Sequence, residues 1–244
     1  MKNRLTSLLA LGAAAMLAAA TSTHAATIVW GLPTNIAGDT DVSLTGSLVR
    51  AFNVGSSAVP PSATTVNGVL FEPITQGSTV GNFTLNPTAA GFSGADGSLS
   101  AAYRTLLEDA AFSQTGPNIT LTINGLSVGG GYLFEWWSNT NGAGPTLNGT
   151  LTSAGGAPLD ANTTDTAGTG RGQYQIGTFV ADNATQIITF ANVGTSAFGG
   201  ILNGFQLRQA ADGAASVPEA GTALIILAIP GVLALHALHR RRRA

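Results

Sequence analysis

Between residues 26 and 216 the apolar side chains of this chain recur at every second position, in short runs separated by Gly, Asn and Pro. That period puts alternate side chains on opposite faces of an extended backbone. It does not suit a helix, whose apolar face repeats every three or four residues. The clearest run is Asn118 to Asn124, with Ile119, Leu121 and Ile123 on one face and Thr120 and Thr122 on the other. Gln173 to Val180, Thr185 to Asn192 and Ile201 to Arg208 continue the rhythm, and Thr27 to Trp30, Ser47 to Val54, Val66 to Glu72 and Val80 to Leu85 precede it. One stretch has the other period: Leu99, Tyr103, Leu106, Leu107 and Ala110 share a helical face, which predicts a short helix over Leu99 to Ala111. Glu108 and Asp109 oppose the helix dipole at its end, so the C-terminal boundary is weakly set.

Many short strands with one short helix predict a mainly β domain over residues 26–209, a jelly-roll-like β-sandwich. The stretch from Tyr132 to the closing run Ile201-Leu202-Asn203-Gly204-Phe205-Gln206-Leu207-Arg208 resembles galactose-binding-type jelly rolls of exported bacterial proteins. Fold alone assigns no activity.

Composition narrows the chemistry. Residues 26–216 contain no His, Cys, Lys or Met, which removes Ser-His-Asp and Cys-His nucleophiles, Schiff-base lysines, and the usual zinc and haem ligand sets. No cofactor is expected. Four arginines (Arg50, Arg104, Arg171, Arg208) face eleven carboxylates, and so acidic a surface argues against nucleic acid, whose binding depends on neutralised phosphates. Carboxylate chemistry of the glycosidase kind remains as an enzymatic alternative. The region's three glutamates are Glu72, Glu108 and Glu135, and nothing in their spacing favours the pair such chemistry needs.

Both ends of the chain carry targeting signals. Lys2 and Arg4 precede an apolar run from Leu8 to Ala20, and small residues follow, so residues 1–25 read as a secretory signal peptide. Thr23-His24-Ala25 or His24-Ala25-Ala26 supplies the site for signal peptidase, at Ala25 or Ala26. At the other end, a linker over 210–216 leads to Val217-Pro218-Glu219-Ala220. Gly221 to Leu238 then carries no charge, and Arg240, Arg241, Arg242 and Arg243 lie in the tail 239–244. At about 1.5 Å per residue the apolar segment spans roughly 27 Å, enough for one transmembrane helix. Pro230 is tolerated there better than in a soluble helix, and the arginines favour the cytoplasmic side.

The three-part order at 217–244 resembles the PEP-CTERM sorting signal of bacterial surface proteins. In this sequence the motif is Val217, Pro218 and Glu219, with Ala220 where the second proline usually stands. The resemblance implies recognition and cutting by an exosortase-type membrane protease. It also implies transient anchoring in the inner membrane, then release to the cell surface or an exopolysaccharide matrix.

Three local features are candidate sites. In Tyr132-Leu133-Phe134-Glu135-Trp136-Trp137, a strand puts Tyr132, Phe134 and Trp136 on one face, expected to be core. Trp137 and Glu135 then form a candidate for stacking on and bonding to extracellular polysaccharide, since sugars present apolar C–H faces and hydroxyls. Asp39-Thr40-Asp41 offers oxygen ligands suited to calcium, but no calcium-loop pattern accompanies it and a turn is its expected role. Ser153 to Gly172 is a long Gly/Thr-rich stretch expected to be disordered or surface decoration. The sequence thus describes an exported, non-catalytic surface or matrix protein with glycan binding as an added role. A carboxylate glycan hydrolase and a passive structural protein are the alternatives.

Overall fold

The computed structural model describes residues 25–211, apart from 58–59, 87–88, 114–117, 144–149, 154 and 194–199. The expected signal peptide as far as residue 24, the expected sorting motif Val217-Pro218-Glu219, the apolar segment and Arg240 to Arg243 lie outside the described residues. Among the described residues no helix is long and apolar enough to cross a membrane.

The described chain is mainly β, with its sheets arranged as a sandwich. One sheet contains β1 (Val29–Trp30), β2 (Thr34–Asn35), β3 (Ser47–Gly55), β4 (Thr64–Val66) and β5 (Val69–Thr75). A second contains β6 (Thr79–Val80), β7 (Phe83–Leu85) and β10 (Ile119–Asn124). A third, three-stranded sheet holds β8 (Ala89–Phe92) and β9 (Asp109–Ser113), on either side of the helix α1 (Ala101–Leu107). The first sheet is completed by β11 (Gly131–Ser138), β14 (Gln173–Val180) and β17 (Gly204–Gln209), in the order β1-β14-β11-β17-β3-β5-β4, with β2 also on β14. The second is completed by β12 (Thr150–Ser153), β13 (Leu159–Asp160) and β15 (Thr185–Asn192), in the order β13-β12-β15-β10-β7-β6. The third is closed by β16 (Gly200–Leu202), in the order β16-β9-β8. The β3–β5 pair is parallel.

The period-two pattern explains the main core. Phe52, Phe134, Trp136, Phe205 and Leu207 of the first sheet meet Leu85, Ile119, Leu121, Ile188 and Phe190 of the second in one buried cluster. Aromatic contacts cross it, with Trp136 4.9 Å from Phe190 between ring centroids.

A second core covers the other face of the first sheet. Tyr103, Leu106 and Leu107 of α1 pack there with Val42, Val66, Phe71 and Trp137. Gly204 permits the approach, because a Cβ at that position would stand 2.7 Å from a methyl carbon of Leu106. Ser100 caps α1 by accepting a hydrogen bond from the Tyr103 amide. The helix is shorter than the Leu99–Ala111 expected from periodicity. It gives way at Glu108, and Asp109 starts β9, where the acidic pair no longer faces a helix C-terminus.

Three runs expected as single strands are broken. Val66 to Glu72 is a hairpin: Val66 pairs with Val69, and Asn67 and Gly68 between them take φ of 47° and 76°. Positive φ at both turn positions is what a two-residue hairpin with Asn-Gly adopts. Val80 to Leu85 is also a hairpin, turning around Gly81 and Asn82, but with positive φ, 57°, at Gly81 alone, as in the two-residue turn that takes Gly first. Ile201 to Arg208 breaks at Asn203, where the chain passes from the third sheet to the first.

Asn203 is fully buried and fixes that crossing. Its amide nitrogen lies 2.8 Å from both Ser93 Oγ and the Leu107 carbonyl and 3.1 Å from the Asp109 carbonyl, so its two hydrogens serve three acceptors. Its Oδ1 accepts from the Asn139 amide at 2.6 Å. Asn203→Leu keeps the branching at Cγ but adds bulk and orphans these buried groups. It is expected to lower unfolding free energy by about 3 kcal/mol or more, measured by urea denaturation.

Candidate functional site

Trp137 and Glu135 lie on the face of β11 turned away from the main core, as the alternation predicts, but that face is not open to solvent. Both residues are fully buried. The Trp137 ring meets Phe71 edge-on and stacks with Tyr174, at centroid distances of 5.6 and 6.4 Å. Its Nε1 donates to the Tyr103 hydroxyl at 3.0 Å. The expectation of an exposed sugar-stacking plate is therefore corrected: α1 and the ring of Phe71 close over the indole, and Trp137 is core.

Around Glu135 the covering element is the strap Val42 to Gly46, which follows a 3-10 turn at Asp39–Asp41 and leads into β3. Glu135 Oε2 accepts from the Ser43 amide at 3.1 Å and from Gln206 Nε2. Gln206 is its cross-strand partner on β17, and its Nε2 also donates to the Ser43 carbonyl at 3.0 Å. Arg208, two residues on, donates to the carbonyls of Thr45, Leu44 and Gly46 at 2.9, 3.1 and 2.8 Å. Its remaining nitrogen reaches Gln206 Oε1 at 3.2 Å. Glu135 Oε1 is buried and has no hydrogen-bond partner among the described residues.

The electrostatics follow from this enclosure. Burial raises the Glu135 carboxyl from its usual range to about 7, against the bonds from Gln206 and Ser43, and the nearby Asp41 charge adds to the rise. Burial lowers the Arg208 guanidinium, opposed by Glu135. Tyr103 is raised well above the ordinary phenol value by burial and by Asp41, to whose Oδ2 its hydroxyl donates at 3.2 Å. The group is a buried lattice of hydrogen bonds that ties the strap to the sheet. A carboxylate poised near pH 7 has a pKa suited to proton transfer, but fully buried beneath the strap it has no room for a substrate.

The other candidates resolve into structural roles. Asp41 Oδ2 accepts from the Ala37 and Gly38 amides at 2.7 and 2.9 Å, and Asp39 Oδ1 from Ser100 Oγ at 2.6 Å, so both anchor the turn and the helix cap. Among the described residues no three of His, Cys, Asp and Glu gather around a metal position. Glu72 pairs with Arg50 at 3.1 Å, and Glu108 is the C-cap of α1.

The stretch Ser153 to Gly172 is not free decoration, which corrects that expectation for its described residues. Leu159 and Ala161 are fully buried, and Asn162 Nδ2 donates to the Gly142 and Thr166 carbonyls at 2.6 and 3.2 Å. Arg171 bonds Asp96 Oδ2, Ser98 Oγ and the Ala37 carbonyl, joining three loops at one end of the sandwich. Hydrogen bonds from Ser98 and Arg171 hold the Asp96 carboxyl below its usual range. Sequence reasoning missed Ser43, Gln206, Arg208 and Asn203. The available signal was polar residues alternating with Phe205 and Leu207 on a closing strand.

No known family matches the chain, and no curated protein matches it. Among solved structures it is similar to Bacteroides uniformis beta-glucuronidase 2 covalently bound to cyclophellitol-6-carboxylate aziridine. The identity is 15%, over 66% of this chain and 18% of that one, with a TM-score of 0.45. The chain thus spans under a fifth of that protein, and a likeness this slight carries no argument about activity.

The raised carboxyl gives a pH signature. A folded pKa of about 7 against an unfolded value near 4.3 means the folded state holds the proton more tightly. Stability from Glu135 is full below the unfolded pKa and is lost as pH rises from about 4 through about 7, by about 4 kcal/mol in total. In urea unfolding across that range, wild type should lose stability relative to Glu135→Gln, and the difference should level off above about pH 8. For Trp137→Ala the expected cost is about 3 to 5 kcal/mol, seen as a large drop in Tm.

Proposed function

We propose that the protein is an exported, non-catalytic domain of the cell surface or exopolysaccharide matrix, with a jelly-roll-like sandwich released by processing at its C-terminal signal. The observation that carries this reading is the order of the last segment: Val217-Pro218-Glu219, an uncharged run from Gly221 to Leu238, then Arg240 to Arg243. A soluble domain does not need an apolar stretch of that length, and the arginines favour its retention at the cytoplasmic face of a membrane. The fold is compatible with this arrangement. Its final strand β17 lies between β11 and β3 and ends at Gln209, and the Ala210 amide still bonds the Gly131 carbonyl at 2.9 Å. Cutting at residues 217–220 would leave every strand of the described residues intact.

The partners under this reading are signal peptidase, the inner membrane transiently, and an exosortase-type protease. Matrix association without dedicated sugar contacts is the version favoured, because Trp137 and Glu135 are enclosed. A carbohydrate hydrolase has no supporting observation, since Glu135 is shut under the strap and Glu72 is paired with Arg50.

Mass spectrometry of the extracellular fraction is the test. The mature protein should lack peptides from Gly221 to Arg243, and their recovery there would overturn the reading. Replacing Pro218 and Glu219 together by Ala should leave the full-length form in the membrane fraction, visible as a larger species on an immunoblot.

A further inference from the structure

The face of the first sheet turned away from the main core is covered over only part of its length. α1 lies over it at Trp137, and the strap lies over it at Glu135 and Arg208. Toward the other end of β11 the cover runs out, and Thr178 and Val180 of β14 are exposed. Residues paired in register share a face. One such row, Val29, Thr178, Leu133, Arg208 and Leu48, runs across β1, β14, β11, β17 and β3. Val180 lies beside this row, opposite Gly131. Leu44 belongs to the strap over Arg208, and Val128 to the turn that leads into β11.

Val29, Leu44, Leu48, Val128 and Val180 are 41 to 67% exposed. The open face of an antiparallel sheet is ordinarily polar, but here it is aliphatic. It is also uncharged, since Arg208 is buried under the strap. Asp182, in the turn after Val180, is an exposed charge at its margin.

The chain leaves the domain at this same end. β17 stops at Gln209, and the Ala210 amide bonds the Gly131 carbonyl at 2.9 Å. Residues 212–220 separate Ala211 from Gly221, where the uncharged segment begins, and a chain of that length reaches at most about 35 Å. β11 and β14 are 8 residues long, and such a strand spans about 25 Å, so their far ends at Ser138 and Gln173 stand further from the anchor. The tether therefore holds the aliphatic end against the bilayer at high effective concentration. The boundary between lipid headgroups and acyl chains takes up apolar side chains, and without basic residues the attraction comes from apolar area alone.

We propose that this end of the first sheet, through Val29, Leu44, Leu48, Val128 and Val180, rests on the membrane interface while the chain is anchored. The inference rests on reading Gly221 to Leu238 as a membrane span. Its partner is a lipid surface, and a zwitterionic one suits a patch with an aspartate at its margin.

The chain contains no cysteine, so a fluorophore can be placed at one introduced thiol. The full chain carrying Leu44→Cys, Val180→Cys or Ala167→Cys is labelled and reconstituted into phosphatidylcholine vesicles with and without nitroxide-bearing lipid. Ala167 is exposed at the far end, where the Gly168 amide bonds the Asn141 carbonyl beyond β11. Lipid nitroxide should quench the labels at 44 and 180 several-fold more than the label at 167, and aqueous acrylamide should show the reverse order. Adding Val29→Ser and Val128→Ser to the Leu44→Cys chain should cut its lipid quenching several-fold, because these exposed positions bear on the contact and not on the tether. Unchanged quenching in that chain means nearness alone and overturns the inference. Labels at 44 and 180 open to acrylamide and untouched by lipid nitroxide place the patch in water and overturn it too. Protection from both quenchers that weakens on dilution assigns the patch to a second copy of the chain, again against the inference. A full-length chain that fails to float with the vesicles overturns the membrane-span reading itself, and the inference with it.

Discussion

Burial of β11 on both faces is the constraint from which most of this structure follows. One face carries Tyr132, Phe134 and Trp136 into the space between the sheets, where aromatic and aliphatic side chains need only shape. The other carries Glu135 and Trp137, which bring a carboxylate and an indole N–H out of water. Neither can be left unpaired without a cost of several kcal/mol, so the covering elements must supply partners as well as bulk. α1 brings Tyr103 to Trp137, and the strap brings the Ser43 amide to Glu135. The helix and strap are thus placed by the polar groups they must meet. The apolar contacts of Leu106 and Phe71 then fill around them.

A domain without cysteine must fix its loops by other means, and here buried asparagines do so. Asn203, Asn139 and Asn162 each bond backbone groups from separate segments. Asn139 donates to the Gly94 carbonyl and accepts from the Gly172 amide, joining loops far apart in sequence. A primary amide suits this task because it donates and accepts in one plane, as the peptide group does. It can therefore complete backbone bonding where strands break, as at Asn203, where a sheet ladder cannot continue. The arrangement is polar, yet it specifies a crossing that aliphatic packing alone would leave loosely defined.

Strand existence was legible wherever a run was long and its alternation unbroken. Gln173–Val180 and Thr185–Asn192 appear with the boundaries read from sequence, and Ile119–Asn124 differs by one residue. Hairpins were lost where the turn residues sat inside an otherwise apolar run. At Asn67-Gly68 the side-chain types on either side give no break in hydrophobicity, although the dipeptide itself is a strong turn signal. The candidate site failed for a different reason. Period two tells which side chains share a face, and it assigned Trp137 and Glu135 correctly to the face opposite Trp136. It does not tell what lies over that face, because the cover comes from residues 42–46 and from α1, distant in the chain. Arg208 was visible only as one of four cations, with no pattern linking it to carbonyls at 44–46.

The Glu135, Gln206 and Arg208 group also bears on why a charged lattice stands where aliphatic residues would pack. Replacing such a group by apolar residues of equal volume is often neutral or stabilising in other proteins, so its presence is weak evidence of stability as such. What it provides here is position. An apolar patch would accept the strap in several registers, since hydrophobic contact has no direction. Three carbonyls in succession, at Leu44, Thr45 and Gly46, meet one planar guanidinium, and a slip of one residue would leave at least one donor or carbonyl unmet in a dry site. The strap sets how β3 enters the sheet at Ser47, and β3 in turn pairs with both β17 and β5. The registry of the first sheet's central strands is thus coupled to a single buried carboxylate and the arginine beside it.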